Sequence, residues 1–162
     1  MGYTVSKFRF KPRFLAEYNY ASGDKNASDN VRGTFDQLYP TNHDKYGLAD
    51  QFGWKNIRHL RAAVEMKPVK KLTLAASYHD FHLDSATDGL YSAAGALVVR
   101  KADGSAGTHV GEELDVQGMY AVSKQMQFGA GYGYLFAGDF LKKATRDGHS
   151  YSMPYVFLGY TF

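Results

Sequence analysis

Six segments of the chain alternate apolar and polar residues at period two, as a strand does when one face meets an apolar medium and the other meets water. In residues 7–21, Phe8, Phe10, Pro12, Phe14, Ala16, Tyr18 and Tyr20 fall on one side, and Arg9, Lys11, Arg13, Glu17 and Asn19 on the other. In residues 57–67, Leu60, Ala62, Val64 and Met66 oppose His59, Arg61, Glu65 and Lys67. In residues 71–83, Leu72, Leu74, Ala76 and Tyr78 oppose Thr73, Ala75, Ser77 and His79. Residues 110–123 set Leu114, Val116, Gly118, Tyr120 and Val122 against Glu113, Asp115, Gln117 and Ser123. Residues 126–137 set Met126, Phe128, Ala130, Tyr132, Tyr134 and Phe136 against Gln127, Gly129, Gly131 and Gly133. The last segment, 150–162, sets Pro154, Val156, Leu158, Tyr160 and Phe162 against Tyr155, Phe157, Gly159 and Thr161.

The connections alternate in length. Residues 67–70 and 123–125 are tight turns, whereas 22–56, 84–109 and 138–149 are long. Each segment reaches the roughly 9–11 residues that a tilted strand needs to cross a bilayer. Short turns on one side and long loops on the other are the outer-membrane pattern, with the turns periplasmic. The pattern predicts an all-β, antiparallel transmembrane β-barrel domain with its long loops extracellular. On that topology Phe8, Phe10, Tyr120, Tyr160 and Phe162 form one aromatic girdle. Tyr18, Tyr20, Tyr78, Tyr132, Tyr134 and Phe136 form the other.

Composition sharpens this picture. The chain holds 13 Tyr, 11 Phe and 17 Gly in 162 residues, yet its mean hydropathy is only −0.40. A helical membrane protein needs about 20 consecutive apolar residues per span, and no such run exists. Barrel strands expose every second residue to water, which keeps the average low. The alternative is a soluble β-sandwich, which has no reason to sort its loops by length. The chain has no cysteine, so disulfides and thiolate metal sites are excluded. A net charge of +3 without a Lys/Arg block gives no sign of nucleic acid as a partner. The N-terminus lacks the apolar core of an export leader, so a mature form or a piece of a longer protein is expected.

Three groups of residues are candidates for function. The first lines the water-facing side: Arg9, Lys11, Arg13, Glu17, His59, Arg61, Glu65, Lys67, Glu113 and Asp115. The cations concentrate on the first two segments and the anions on the fourth. A cationic strip in a wide pore would draw in an anionic polymer. The plainer reading is a network of wall ion pairs, such as Arg13 with Glu17 or Arg61 with Glu65. The second group is the loop 22–56, with Phe35, Asp36, Tyr39, His43, Asp44 and Tyr46 as candidate constriction residues. Leu38, Leu48, Phe52 and Trp54 make that loop too apolar for disorder. It is expected to pack over or into the barrel mouth. The third group is Val156, Leu158, Tyr160 and Phe162, alternating to the final residue. They resemble the C-terminal signal read by the outer-membrane barrel assembly machinery, to which such a strand adds by edge pairing. The glycine row Gly129, Gly131 and Gly133 lets a loop approach the wall or lets the sheet curve.

No nucleophile elbow, phosphate loop or metal motif is present. His79 and Asp80 are adjacent in a strand and so face opposite ways. Neither an enzyme, a cofactor nor a bound metal is expected.

Several stretches resemble the C-terminal portion of the alginate-export family of outer-membrane porins. They are Gly33 to Gly47 (GTFDQLYPTNHDKYG), Leu74 to Phe81 (LAASYHDF), Val110 to Asp115 (VGEELD) and Gly129 to Asp139 (GAGYGYLFAGD). The resemblance implies export of an anionic polysaccharide through a barrel of about eighteen strands, above the minimum of about eight for a bacterial barrel. Six strands cannot enclose a useful lumen. The chain is therefore expected to be a partial barrel, to be completed by other copies of itself, or to gain a hairpin from 91–100. Expected partners are membrane lipid, the assembly machinery, an anionic polysaccharide and further copies of the chain. A membrane sheet protein without an open pore is the alternative function.

Overall fold

A computed structural model of the chain describes residues 1–26, 28–39 and 46–162. The fold is all-β, with one short helix among the described residues. Among them nine strands run β1 (Gly2–Thr4), β2 (Arg13–Ala21), β3 (Ile57–Val69), β4 (Leu72–Leu83), β5 (Gly89–Tyr91), β6 (Leu97–Arg100), β7 (His109–Ala121), β8 (Met126–Ala137) and β9 (Tyr151–Tyr160). Helix α1 (Asp139–Ala144) lies between β8 and β9. Seven of the strands form one antiparallel sheet in the order β1-β2-β3-β4-β7-β8-β9. Its two edges, β1 and β9, do not pair with each other, so the sheet is open.

The register preserves the parity read from the sequence. One continuous row across the sheet is Phe14, Val64, Ala76, Val116, Tyr132 and Pro154. The row one residue away on the opposite face is Leu15, Ala63, Ser77, Asp115, Gly133 and Met153. Among the described residues no protein layer covers the even-numbered face. Phe14 is 52% exposed and Leu158 67%, and Leu60, Leu114, Val116, Phe128 and Val156 are exposed beside them. A soluble protein does not leave an apolar face of this extent in water. A sandwich would have buried these side chains.

Four sequence expectations are corrected. The first strand begins at Arg13, not residue 7. Residues 5–12 form a turn closed by Val5 N–H to Pro12 O (2.8 Å) and Lys11 N–H to Phe8 O (3.0 Å), with Lys11 at φ 44°. Proline at 12 has no N–H for a ladder, and the chain doubles back so that Gly2–Thr4 pairs with Arg13–Leu15. Phe8 and Phe10 therefore sit in that turn rather than on a strand face. Second, the hairpin anticipated in 91–100 exists, but β5 and β6 pair only with each other and do not widen the main sheet. Third, Tyr132 lies level with Val64 and Val116 in the middle of the apolar band, not in the girdle. Fourth, the glycine row is partly filled from within the sheet. A Cβ at Gly129 would strike the Phe157 ring, and one at Gly131 the Tyr155 ring, so these glycines seat aromatic rings of the neighbouring strand. Gly133 does meet a loop, through Leu48.

The core is not between two sheets. It sits at the long-loop end of the odd-numbered face, where Ala21, Ile57, Phe81, Leu83, Val110 and Leu135 meet Phe52, Leu90, Ala106 and Phe140 from the loops. Full burial of each large side chain contributes about 1.5–3 kcal/mol. Helix α1 is only 6 residues long, and its role here is to insert Phe140, which is fully buried.

Candidate functional site

The odd-numbered face is the one that carries chemistry, and its two ends differ. At the long-loop end, residues 46–56 lie against the sheet. Tyr46 packs edge-on to His59 (centroids 5.4 Å apart) and Phe52 against Phe81 (4.8 Å). Two wall carboxylates hold this segment by its backbone. Leu48 N–H donates to Asp115 Oδ2 (3.2 Å) and Ala49 N–H to Glu113 Oε1 (2.8 Å). Gly47 makes the close approach feasible: its φ is +91°, and a Cβ there would collide with the Glu113 carboxylate. Glycine alone adopts that conformation without steric cost.

Beneath the segment runs a buried polar chain. Asn19 Nδ2 lies 3.2 Å from His59 Nδ1, and His59 Nε2 lies 2.8 Å from His79 Nδ1. His79 Nε2 is then 3.0 Å from Ser77 Oγ and 3.2 Å from Asp115 Oδ2. Ser77 and Asp115 both address the same imidazole nitrogen. A Ser-His-Asp relay places them on opposite nitrogens, and here Asp115 also holds the Leu48 N–H of the loop. Glu113 Oε2 and Asp115 Oδ1 have no hydrogen-bond partner among the described residues.

The candidate lining residues are therefore divided. His59, Glu113 and Asp115 are buried under the loop and do not face open space. Arg9, Lys11, Arg13 and Glu17 are exposed, and Arg61 and Glu65 are partly so. The expected ion pairs of Arg13 with Glu17 and Arg61 with Glu65 give way to a cross-strand one, Arg61 to Glu17 at 3.8 Å. At the short-turn end an open hollow of about 670 Å³ gathers Arg9, Lys11, Arg13, Lys67 and Lys70 around the single acid Glu65. The loop removes two acids from the wall that the sequence counted against the cations.

The candidate constriction residues also separate. Phe35 packs on Trp54 (5.4 Å), and Tyr46 contacts the same indole (6.3 Å). Burial pushes the Tyr46 phenol up to about 12. Asp36 pairs with Lys55 at 3.1 Å, whereas Tyr39 projects outward, almost fully exposed. His43 and Asp44 lie outside the described residues. Val156, Leu158 and Tyr160 lie on the outward face of edge strand β9, with Phe162 beyond it, 5.1 Å from the Tyr160 ring.

Sequence reasoning missed the posts that anchor the loops. Asp88 accepts from Thr34 Oγ1 (2.6 Å), Asp24 N–H (2.8 Å), Gly89 N–H (2.7 Å) and Tyr91 OH (2.9 Å). Burial alone would raise its pKa, but these donors prevail and hold it below the usual carboxylate value. Asn56, fully buried at φ 50°, donates to the Ser85 and Gly89 carbonyls and accepts from Ser85 N–H. One signal was available: the odd positions Ile57, Phe81, Leu83 and Leu135 are large and apolar at the long-loop ends of strands whose other odd positions are mostly polar or small.

Residues 1–154 match the family model described as alginate export. No curated protein matches the chain.

Proposed function

The chain belongs to the alginate-export family, and from that premise we propose that it forms part of an outer-membrane barrel wall that passes anionic polysaccharide. The observation that carries this reading is the cationic short-turn end of the inner face. Arg9, Lys11, Arg13, Lys67 and Lys70 surround one hollow there, with Glu65 as its only acid. The exposed even-numbered face supports burial in lipid. Its apolar rows end at Tyr18, Tyr78, Tyr134 and Phe136 on one side and at Tyr120, Phe128 and Tyr160 on the other, as interfacial girdles do.

The turns then lie in the periplasm and the cationic hollow at the entrance for an outbound chain. Basic groups there concentrate a polyanion without gripping it at one point. The inward-folded segment 46–56 narrows the opposite end, where its own Trp54 and the neighbouring Phe35 and Tyr39 offer ring faces. Seven strands fall short of the roughly eight of the smallest bacterial barrels. Unpaired edges in lipid cost several kcal/mol per backbone group, so β1 and β9 take up further strands, from second copies or from other barrel segments. Val156, Leu158, Tyr160 and Phe162 would present β9 to the assembly machinery. No step calls for catalysis or a cofactor.

A membrane sheet protein without a pore is the second reading, and the covered long-loop end favours it. Planar-bilayer conductance separates the two. The export reading expects anion-selective current, blocked by added uronate polymer and turned towards cations by Arg9→Glu with Arg13→Glu. Absence of current from folded, inserted protein, or cation selectivity in the unsubstituted chain, contradicts it.

A further inference from the structure

The outward face carries an unexpected polar cluster at the aromatic girdle of the long-loop end, where Asp80 and Glu112 share a register row with Tyr18 and Phe136. In the register, β4 and β7 run in step from Leu72 opposite Tyr120 to Phe81 opposite Gly111, and then His82 stands opposite His109. Val110 is thus an extra residue, a β-bulge, and Gly111 sits there at φ +155°. Simple alternation would put His109 on the inner face. The bulge re-aims it, so that His109 joins Asp80, His82 and Glu112 outside.

The ligand atoms of Asp80, His82 and His109 all lie within 4.8 Å of one another. Asp80 Oδ1 is 3.2 Å from His82 Nε2 and 3.8 Å from His109 Nε2, and Glu112 Oε1 is 3.3 Å from His109 Nε2. The two imidazoles are 4.9 Å apart and tilted by 33°. A tetrahedral ion with bonds of about 2.0–2.1 Å has ligand-to-ligand edges of about 3.3 Å, the scale of these separations. Arg58, opposite His82 on β3, is turned to the Leu83 carbonyl (3.1 Å) and towards Asp84 (4.0 Å).

We propose that Asp80, His82 and His109 form a binding site for a divalent transition-metal ion of the zinc class, with Glu112 beside His109. Two imidazoles and one carboxylate converge on one space, and one dication satisfies all three, whereas a proton satisfies a single pair. Two nitrogen donors favour zinc, copper or nickel over calcium, which takes six to eight oxygens. The ligands come from both ends of the excursion 84–108 that carries the β5–β6 hairpin. A bound ion therefore clips that loop at its root, where closing a long loop matters most.

The test is calorimetric titration of zinc chloride into the folded full chain in detergent, in metal-free buffer. The expected result is one zinc ion per chain, undisturbed by excess calcium or magnesium. His82→Ala and His109→Ala each weaken it by at least about tenfold, the lower bound even for groups that only support a ligand, and His149→Ala leaves it unchanged. If either alanine variant loses heat-modifiable migration, Asp80→Asn replaces it with the same expectation. Cobalt(II) in place of zinc gives the visible absorption of a tetrahedral site. Failure of the folded chain to bind zinc overturns the proposal. So does binding that survives the His82→Ala, His109→Ala double substitution, falls equally in His149→Ala, or yields to calcium.

Discussion

The two ends of one sheet face obey different rules. At the short-turn end the odd positions of β2 and β3 include Arg13, Glu65 and Lys67, and open space lies before them. At the long-loop end the odd positions are Ile57, Phe81, Leu83 and Leu135, buried under loops. The even face stays apolar over most of the same length and turns polar at its long-loop end, at Arg58, Asp80, His82 and Glu112. The difference teaches that one end of this face is open and charged, as the proposed pore wall requires, while the other is the floor of a small folded domain. The boundary between them falls at Glu113 and Asp115, where wall carboxylates turn from solvent to loop backbone.

The largest expected break in this contrast is a core truncation. Phe81→Ala removes a fully buried ring and should cost about 3–5 kcal/mol. Gln117→Ala, on the same face nearer the open end, should stay within about 0.5–1.5 kcal/mol, the range of one ordinary hydrogen bond, here the one from Tyr155 OH (2.9 Å). Urea unfolding of both variants in micelles measures the pair, and equal losses would erase the distinction.

A smaller effect is expected at the boundary. Glu113→Ala leaves the Ala49 N–H buried without its acceptor, a loss of about 1–3 kcal/mol. It should loosen residues 46–56 selectively. Hydrogen exchange should rise at Leu48 and Ala49 and stay level in β8, and Gly47→Ala should reproduce the pattern from the other side of the contact.

The smallest effect concerns pH and is confined to the loops. The Asp88 carboxyl is held below its ordinary value of 3.8. Its contribution is therefore fully present above that unfolded value and is lost as pH falls through the lower folded value. Proteolysis by an acid-active protease should open residues 22–35 below about pH 4, the ordinary carboxylate range. Asp88→Asn should make the loop equally labile at neutral pH and remove the dependence.

Much of the fold was legible because parity is a local property. Val64 and Glu65 declare opposite faces wherever the strand lies, and the register then joined those faces without a slip through most of the sheet. The site was less legible because its key events are non-local. Glu113 and Asp115 read as lumen residues until a segment more than sixty positions earlier folds onto them. His109 changed face through one extra residue, Val110, which no alternation rule foresees. Arg9 and Lys11 were read as strand residues, but Pro12 and the left-handed Lys11 turn the chain there.

The central claim is that even positions between the two girdles meet hydrocarbon and odd positions at the short-turn end meet water. The chain has no cysteine, so single cysteines carrying a nitroxide can be placed one at a time on the chain in lipid vesicles. At Val64, Glu65, Val116, Gln117, Phe128 and Gln127, collision with oxygen and with a water-soluble nickel chelate should alternate. Oxygen should dominate at Val64, Val116 and Phe128, and the chelate at Glu65, Gln117 and Gln127. Uniform access to the chelate at all six, or equal shielding of all six, would contradict the account.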